Sequence, residues 1–199
     1  MELSEKKIID ITNELKARYF INPHRKIKAS KHIQGGFKAS VITFNTIIYD
    51  PNLSGLDDQM IRFCLLHEEG HLKRGQYGIP ALFFLLGLGF VPLLYTILFN
   101  PCFLIISLFF FLFVFFSSIR ILTAPFHWDE YGSDEFASKI LQENYGIKKP
   151  SEIVKKTLNS IPSRFDSSNP LYRLFLAFIE YHPSTEQRIR NIAGLVDEK

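Results

Sequence analysis

Residues 75–119 dominate the fold of this chain and read GQYGIPALFFLLGLGFVPLLYTILFNPCFLIISLFFFLFVFFSSI, from Gly75 to Ile119. It contains no Asp, Glu, Lys or Arg, whereas the segments on either side carry charge at the density of soluble proteins. Asn100-Pro101, a turn-forming dipeptide, divides it into residues 79–99 and 102–119. Each half has about 20 residues, enough to cross a hydrocarbon layer about 30 Å thick. We therefore predict two antiparallel transmembrane helices, with a pair of buried core helices as the alternative.

Basic residues lie at both ends of this hairpin but not at its connecting turn. Lys73 and Arg74 precede it, Arg120 follows it, and the connecting turn carries no charge. The positive-inside rule then places both flanks in the cytoplasm and predicts a multi-pass protein of the cytoplasmic membrane, with the lipid bilayer as a partner. Met1 is not followed by an apolar h-region or a cleavage site, so we expect no signal peptide to be removed.

Net charge argues against nucleic-acid binding, and cysteine content argues against a disulfide-based scaffold or a zinc-thiolate site. The formal net charge is +3, and the basic residues are spread over both flanks, so we expect no nucleic-acid partner. Cys64 and Cys102 provide neither a disulfide framework nor the paired spacing of a zinc-thiolate site.

The charged flanks show patterns of short helices and strands. An amphipathic helix is predicted to end near Asn22-Pro23. Between Ile33 and Asp50, the β-branched and aromatic runs at residues 41–44 and 47–49 predict two short strands or a hairpin. Further helices are predicted over residues 58–75, 129–145 and 170–180 and from Pro183 onward.

His67-Glu68-Glu69-Gly70-His71 forms an H-E-x-x-H motif in the helix predicted before the hairpin. Residues four apart lie one turn above each other on a helix, so both imidazoles face one cation. Glu68 then lies beside the open coordination position, where it can accept a proton from a water that zinc activates. Two surface histidines around an exposed acidic pair would give the same pattern, and for the motif alone this alternative stays open.

Glu130 and Asp134 form a second candidate pair, four residues apart on a predicted helix beyond the hairpin. One carboxylate would bind the metal, and the other would accept a hydrogen bond from the far ring nitrogen of a ligand histidine. A pair of surface acids is the alternative reading. Their occurrence together with His67 and His71 favours the metal site.

Three motifs together resemble the M48 family of membrane zinc metallopeptidases, to which HtpX belongs. They are LHEEGH from Leu66, EYGSDEFA from Glu130 and HPSTEQRI from His182, in the family's order, and the membrane hairpin lies between the first two. The resemblance covers roughly residue 33 to the C-terminus. It implies one Zn²⁺ per chain held by His67, His71 and Glu130, with Glu68 as the general base and Asp134 orienting His67.

The resemblance also assigns His182 and Arg188 to the substrate carbonyl, where imidazole and guanidinium donors stabilise the developing oxyanion. Helix capping is the alternative for His182, and a structural ion pair is the alternative for Arg188. The implied fold is α+β and mostly helical, a zincin-like (gluzincin) domain with a small β-sheet. Residues 1–74 would form its N-terminal half, residues 75–119 the inserted transmembrane hairpin, and residues 120–199 its C-terminal helical half.

The chain departs from the family in two places. It has Gln34-Gly35-Gly36-Phe37 where relatives usually carry an Asn-Ala pair on the edge strand beside the cleft, so substrate pairing there would use the backbone. The membrane helices that precede the zinc motif in the larger relatives are absent, which weakens a role in cutting prenylated CaaX peptides.

We therefore predict a membrane-anchored zinc endopeptidase that hydrolyses membrane-proximal or unfolded protein segments at the cytoplasmic face. A catalytically silent membrane adaptor and a CaaX-type protease are the alternatives. An intramembrane protease would need its motif within a membrane helix, but Arg62, Lys73 and Arg74 surround this one. A peptide or protein substrate is the expected partner, and a homo-oligomer stays open.

Overall fold

The computed structural model describes residues 3–31, 36–39, 45–53, 55–74, 78–160 and 183–197. These residues form an α+β fold that is mostly helical and contains one three-stranded sheet, which confirms the predicted class. The helix predicted over residues 170–180 lies outside them. In chain order the helices are α1 (Leu3–Ala17), α2 (Asp58–Arg74), α3 (Gly78–Phe99), α4 (Leu104–Tyr145), α5 (Pro150–Ser160) and α6 (Thr185–Ile192).

The sheet is formed by β1 (Lys26–Ala29), β2 (Phe37–Ala39) and β3 (Thr46–Tyr49) in the order β1-β3-β2. The central strand β3 runs parallel to β1 and antiparallel to β2. β3 coincides with the predicted run at residues 47–49. β2 precedes the other predicted run, residues 41–44, which lies outside the described residues. β1 is an additional strand, and its sequence KIKA has a single β-branched residue, so little in its composition favours a strand.

α4 is one continuous helix of 42 residues, about 63 Å long. The sequence predicted a membrane helix that ends at residue 119 and a separate helix that begins at Asp129, and the structure corrects this. Hydropathy changes near Arg120, but a change of hydropathy does not interrupt backbone hydrogen bonding. The expected domain boundary between residues 119 and 120 therefore falls inside a single helix.

α3 and α4 form the predicted helical hairpin, joined by Asn100 and a 3₁₀ turn at Pro101–Phe103. Within the described helices, the stretch Pro101–Ser118 is long and apolar enough to cross a membrane, and two thirds of its side chains are exposed. The apolar stretch of α3, Phe84–Phe99, is shorter than a full span. One spanning helix is thus supported by length and composition, whereas two were expected.

The core joins α1, the sheet, α2, α4, α5 and α6. α2 is its central helix, since it contacts α1, α4, α5 and the sheet and is buried at almost every position from Met60 to His71. Packing around α2 therefore holds the H-E-x-x-H motif in one position. The largest apolar side chains that are fully buried in this core are Leu15, Ile21, Ile47, Phe63, Leu65, Leu66, Leu141 and Ile192.

Candidate metal centre

The N-terminus of α2 is capped by Asp57, whose carboxylate accepts a hydrogen bond of 2.9 Å from the Met60 N–H. A carboxylate at this position satisfies an otherwise unpaired backbone donor and complements the positive end of the helix. About three and four turns later the same helix presents His67 and His71, both of which are buried. The helical spacing predicted from the sequence therefore brings the two imidazoles together.

Glu130 reaches these imidazoles from α4. The Nε2 atoms of His67 and His71 lie 3.0 Å apart. One carboxylate oxygen of Glu130 is 3.5 Å from Nε2 of His67, and the other is 3.4 Å from Nε2 of His71. These three buried side chains form a group whose ligand atoms lie within 4.8 Å of one another, an arrangement that could hold a metal ion.

Each histidine directs its other ring nitrogen to a carboxylate. Nδ1 of His67 lies 2.8 Å from Asp134, and Nδ1 of His71 lies 2.6 Å from Asp129. A carboxylate accepts hydrogen bonds but does not donate them, so in a neutral imidazole the proton sits on Nδ1 and the lone pair on Nε2. Both lone pairs then face Glu130 and the point between the three side chains, as metal ligation requires.

Arg188 of α6 contributes a positive charge to the site. Its Nε donates to Asp134 at 2.7 Å, its Nη2 donates to the other oxygen of the same carboxylate at 2.5 Å, and its Nη1 lies 3.3 Å from Glu130. The guanidinium is buried. These contacts place Arg188 in an ion-pair cluster beside the candidate ligands, and its contact with a substrate carbonyl stays a prediction.

A capping box fixes the start of α6 and thereby the place of Arg188. The Ser184 hydroxyl accepts from the Gln187 N–H, and the Gln187 side chain accepts from the Ser184 N–H. Two backbone donors are satisfied reciprocally in this motif. His182, the other residue assigned to the substrate carbonyl, lies outside the described residues.

Glu68 is buried between the two histidines and the sheet. Its carboxylate accepts a hydrogen bond from the backbone N–H of Ala39 in β2. Gly36 is bonded to Asp50 across the antiparallel pair, so alternation along β2 turns the Ala39 N–H away from β3 and toward α2. Burial raises the pKa of the Glu68 carboxyl, although the neighbouring imidazoles oppose this effect.

The two imidazoles are surrounded by the carboxylates of Glu68, Asp129, Glu130 and Asp134, and the Arg188 guanidinium pairs with the last two. Burial lowers the pKa of His71, but hydrogen bonds to Asp129 and Glu130 outweigh it and raise the pKa to about 10. Burial raises the pKa of Asp134, but Arg188 and His67 outweigh it and lower the pKa. The site therefore favours a positive charge at the point where the Nε2 atoms meet.

Close packing of α2 against α4 sets the distance between the histidines and Glu130. A Cβ at Gly70 would lie 3.0 Å from the Ser133 Cα and 3.1 Å from its Cβ. Such separations are tighter than most Cβ contacts, so Ser133 would have to shift by a few tenths of an ångström. The glycine in the H-E-x-x-H motif of this chain thus permits a helix contact that a larger residue would widen.

Two features of the site were not anticipated from the sequence. Asp129, the partner of His71, directly precedes Glu130, and adjacency to a candidate ligand is the signal that would have pointed to it. Glu69 is fully buried and accepts hydrogen bonds from Arg25 at 2.7 and 2.9 Å. Nothing in the spacing of Arg25 and Glu69 indicates this pair.

Comparison with protein-family models, with curated proteins and with solved structures gives no match to this chain.

Proposed function

We propose that this protein is a zinc-dependent endopeptidase attached to a membrane through the α3–α4 hairpin. The observation that carries the proposal is the convergence of His67, His71 and Glu130, whose ligand atoms are separated by 3.0, 3.4 and 3.5 Å. Two ligands of a tetrahedral zinc with bonds of about 2.0–2.1 Å lie about 3.3 Å apart. Two imidazoles and one carboxylate are also a donor set of hydrolytic zinc sites, which keep a fourth position open.

Zinc bound there would polarise a peptide carbonyl and make an attacking water more acidic. Glu68, which follows His67 on α2, carries out the proton transfers as the proposed general base. Its carboxylate accepts a proton from the attacking water and delivers it to the nitrogen of the leaving amine. The raised pKa of Glu68 suits both steps, because a carboxyl group with a higher pKa accepts and releases protons closer to neutral pH.

The residues around the proposed metal ligands orient those ligands or bind the substrate. Asp134 and Asp129 orient the two imidazoles, and Arg188 keeps Asp134 ionised and in place. Because Glu68 is bonded to the outward N–H of Ala39, a peptide lying along β2 would bring its carbonyls beside the base. We retain His182 as the candidate donor to the developing oxyanion, with Arg188 supporting the site through its ion pairs.

The membrane attachment and the fold assignment are parts of the same proposal. The exposed apolar span Pro101–Ser118 supports insertion into a bilayer. Lys73, Arg74 and Arg120 favour a cytoplasmic location of the metal centre. The M48-like zincin assignment is supported by the order of the three motifs and by the meeting of the first two at one site.

The proposal is tested on protein purified in detergent by metal analysis coupled to cleavage of a peptide library. Wild type is expected to carry about one zinc per chain and to cut peptides internally. Glu68→Gln should keep the zinc but lose activity by several orders of magnitude, because the base contacts the water and not the metal. Glu143→Gln is the matched control, since Glu143 is exposed on α4 and should leave the rate unchanged.

Two outcomes would overturn the proposal in different ways. Zinc-loaded wild-type protein that cuts no peptide would favour the silent membrane adaptor. Wild-type activity in Glu68→Gln would show that another group removes the proton.

A further inference from the structure

The outer edge of β2 is bonded to the side chain that we propose as the general base. Ala39 lies opposite Ile47 on β3. Counted from the bonded pair Gly36 and Asp50, this is a pair of the kind that exchanges no hydrogen bonds across an antiparallel ladder. The Ala39 N–H therefore points away from β3, and it donates to Oε2 of Glu68 on α2.

The Ala39 amide needs an acceptor within the protein. Ala39 is only 2% exposed, so its backbone is screened from solvent. A buried backbone N–H without an acceptor is costly and rare in folded proteins. Glu68 supplies this acceptor, so the proposed base also completes the hydrogen bonding of the sheet edge.

The metal centre beside this contact is almost closed to solvent. His67, Glu68, His71 and Glu130 are each between 6% and 9% exposed. A peptide carbonyl must nevertheless approach the ligands and the base, because the attacking water has to lie between them. The outer edge of β2 is the route on which an extended peptide would find backbone partners, and the Ala39 N–H lies on that edge.

A peptide that adds to β2 as a new strand would use the same N–H. The outward amide of an edge strand donates to a carbonyl oxygen of the strand that is added to it. Ala39 has a single amide hydrogen. The peptide carbonyl and Oε2 of Glu68 are therefore competing acceptors for one donor.

We infer that the hydrogen bond from the Ala39 N–H to Glu68 is a latch that holds the base in the unliganded protein and is opened by the substrate. A peptide carbonyl replaces Oε2 at the N–H, and the released carboxylate oxygen can then accept a hydrogen bond from the attacking water. This inference rests on the proposed peptidase function and adds a regulation of the same site. A peptide too short to pair with β2 leaves the latch closed.

Two variants that both lack the base test the competition without any need for cleavage. Glu68→Gln retains an amide oxygen that can accept from the Ala39 N–H, whereas Glu68→Ala has no acceptor there. Both variants have lost the same charge. A fluorescein-labelled peptide of about ten residues, enough for an added strand, is chosen from a library by its binding to Glu68→Gln. This choice does not favour the expected result.

The affinity of this peptide is measured by fluorescence anisotropy with the whole protein in detergent, loaded with zinc. Glu68→Ala should bind the peptide about tenfold more tightly than Glu68→Gln, because one hydrogen bond no longer has to be broken. An acetylated dipeptide amide, which is too short to pair with β2, should bind the two variants equally.

Ala39→Pro tests the latch from the other side, since it removes the donor and keeps Glu68. The Ala39 N–H does not bond to β3, and proline is tolerated on an edge strand. With the carboxylate no longer held, kcat for the acetylated dipeptide amide should rise at least about threefold. For the ten-residue peptide KM should rise about tenfold, because the peptide has lost the same donor.

Ala29→Pro is the matched control on the other edge of the sheet. The N–H groups of Lys26 and Ser30 donate to β3, so alternation along β1 turns the Ala29 N–H outward as well. This variant should leave kcat and KM unchanged for both substrates. Melting temperature and zinc content report the folding of each proline variant. If Ala39→Pro does not fold, the binding comparison of the two Glu68 variants decides alone.

Three outcomes contradict the inference. Equal affinity of Glu68→Ala and Glu68→Gln for the long peptide would show that Glu68 and the peptide do not compete. Failure of both variants to bind any peptide of the library would remove the pairing with β2. A lower kcat of Ala39→Pro for the dipeptide would show that the N–H positions the base for catalysis.

Failure of the peptidase proposal gives a different pattern. Zinc-loaded wild-type protein that cuts no peptide would refute that proposal. Tighter binding of the long peptide by Glu68→Ala than by Glu68→Gln would still support the competition at Ala39.

Discussion

Nδ1 of His71 lies 2.6 Å from a carboxylate oxygen of Asp129, the residue that directly precedes the candidate ligand Glu130. One turn of α4 thus supplies a metal ligand and the support of another ligand. We predict that Asp129→Asn lowers zinc affinity by about 10 to 100-fold, because an amide still occupies the space but no longer raises the basicity of the imidazole. Competition with a zinc chelator measures this, and Asp10→Asn, an exposed change on α1, is the control.

Asp134→Asn should differ from Asp129→Asn in its effect on the metal-free protein. Asp134 is fully buried and paired with the buried Arg188. Weakening such a pair leaves a buried charge without full compensation and costs roughly 3 kcal/mol or more. We therefore expect Asp134→Asn to lower both zinc affinity and the thermal stability measured in chelator, whereas Asp129→Asn lowers mainly the affinity. Equal stability losses in the two variants would contradict this distinction.

Substitutions at the adjacent motif residues Glu68 and Glu69 should have opposite effects on stability and on activity. Glu69 is fully buried and paired with Arg25, so Glu69→Gln should destabilise the fold by roughly 3 to 5 kcal/mol. Its folded fraction should still bind zinc and cut peptides. Glu68→Gln should melt close to wild type yet be inactive. Melting temperatures and rates normalised to folded protein decide this, and an inactive but stable Glu69→Gln would reverse the roles.

Gly70→Ala should weaken the metal centre without changing any polar group. The added methyl meets the Cα, Cβ and Oγ atoms of Ser133 at 3.0 to 3.1 Å, so α4 is pushed from α2 by a few tenths of an ångström at a cost of about 1 to 3 kcal/mol. Glu130 then moves away from the histidines, and zinc affinity falls. Gly87→Ala is the matched control, since a Cβ there meets nothing within 4 Å and an alanine is favoured within a helix by roughly 0.5 to 1 kcal/mol.

Part of the folding stability that is lost as the pH falls should come from Glu14. Burial raises its pKa, but hydrogen bonds from Arg62 and Tyr145, each 2.7 Å long, outweigh this and lower it. A lowered pKa in the folded state contributes stability above the unfolded pKa of about 4.3 and loses it as the pH falls through the folded pKa. Because the carboxylate is about one-third exposed, the contribution is about 1 kcal/mol.

Glu14→Gln tests this contribution by thermal melts between pH 7 and pH 3. The variant should be less stable than wild type at pH 7, and the difference should disappear toward the acid end. Release of the proposed zinc in acid would affect both proteins and cancel in the difference. A difference that is constant over the whole range would show that ionisation of Glu14 does not contribute.

The sequence alone determines the features that depend on local composition and local spacing. The uncharged run around Asn100 predicts the hairpin because hydropathy and length are properties of a single segment. His67 and His71 meet because the helical repeat places residues four apart on one face, whatever surrounds the helix. The pair of candidate ligands on α2 follows from this local pattern, whereas Glu130 reaches them only through the packing of α4.

Only the tertiary structure decides which distant side chains become partners. Asp129 rather than another carboxylate supports His71, Glu69 is bound by Arg25, and Arg188 holds Asp134. These pairs depend on how α2, α4 and α6 pack, and many pairings of similar residues would satisfy the same composition. The continuity of α4 is also a tertiary result, because a helix can run past a change of hydropathy when its far end is held by packing against α2.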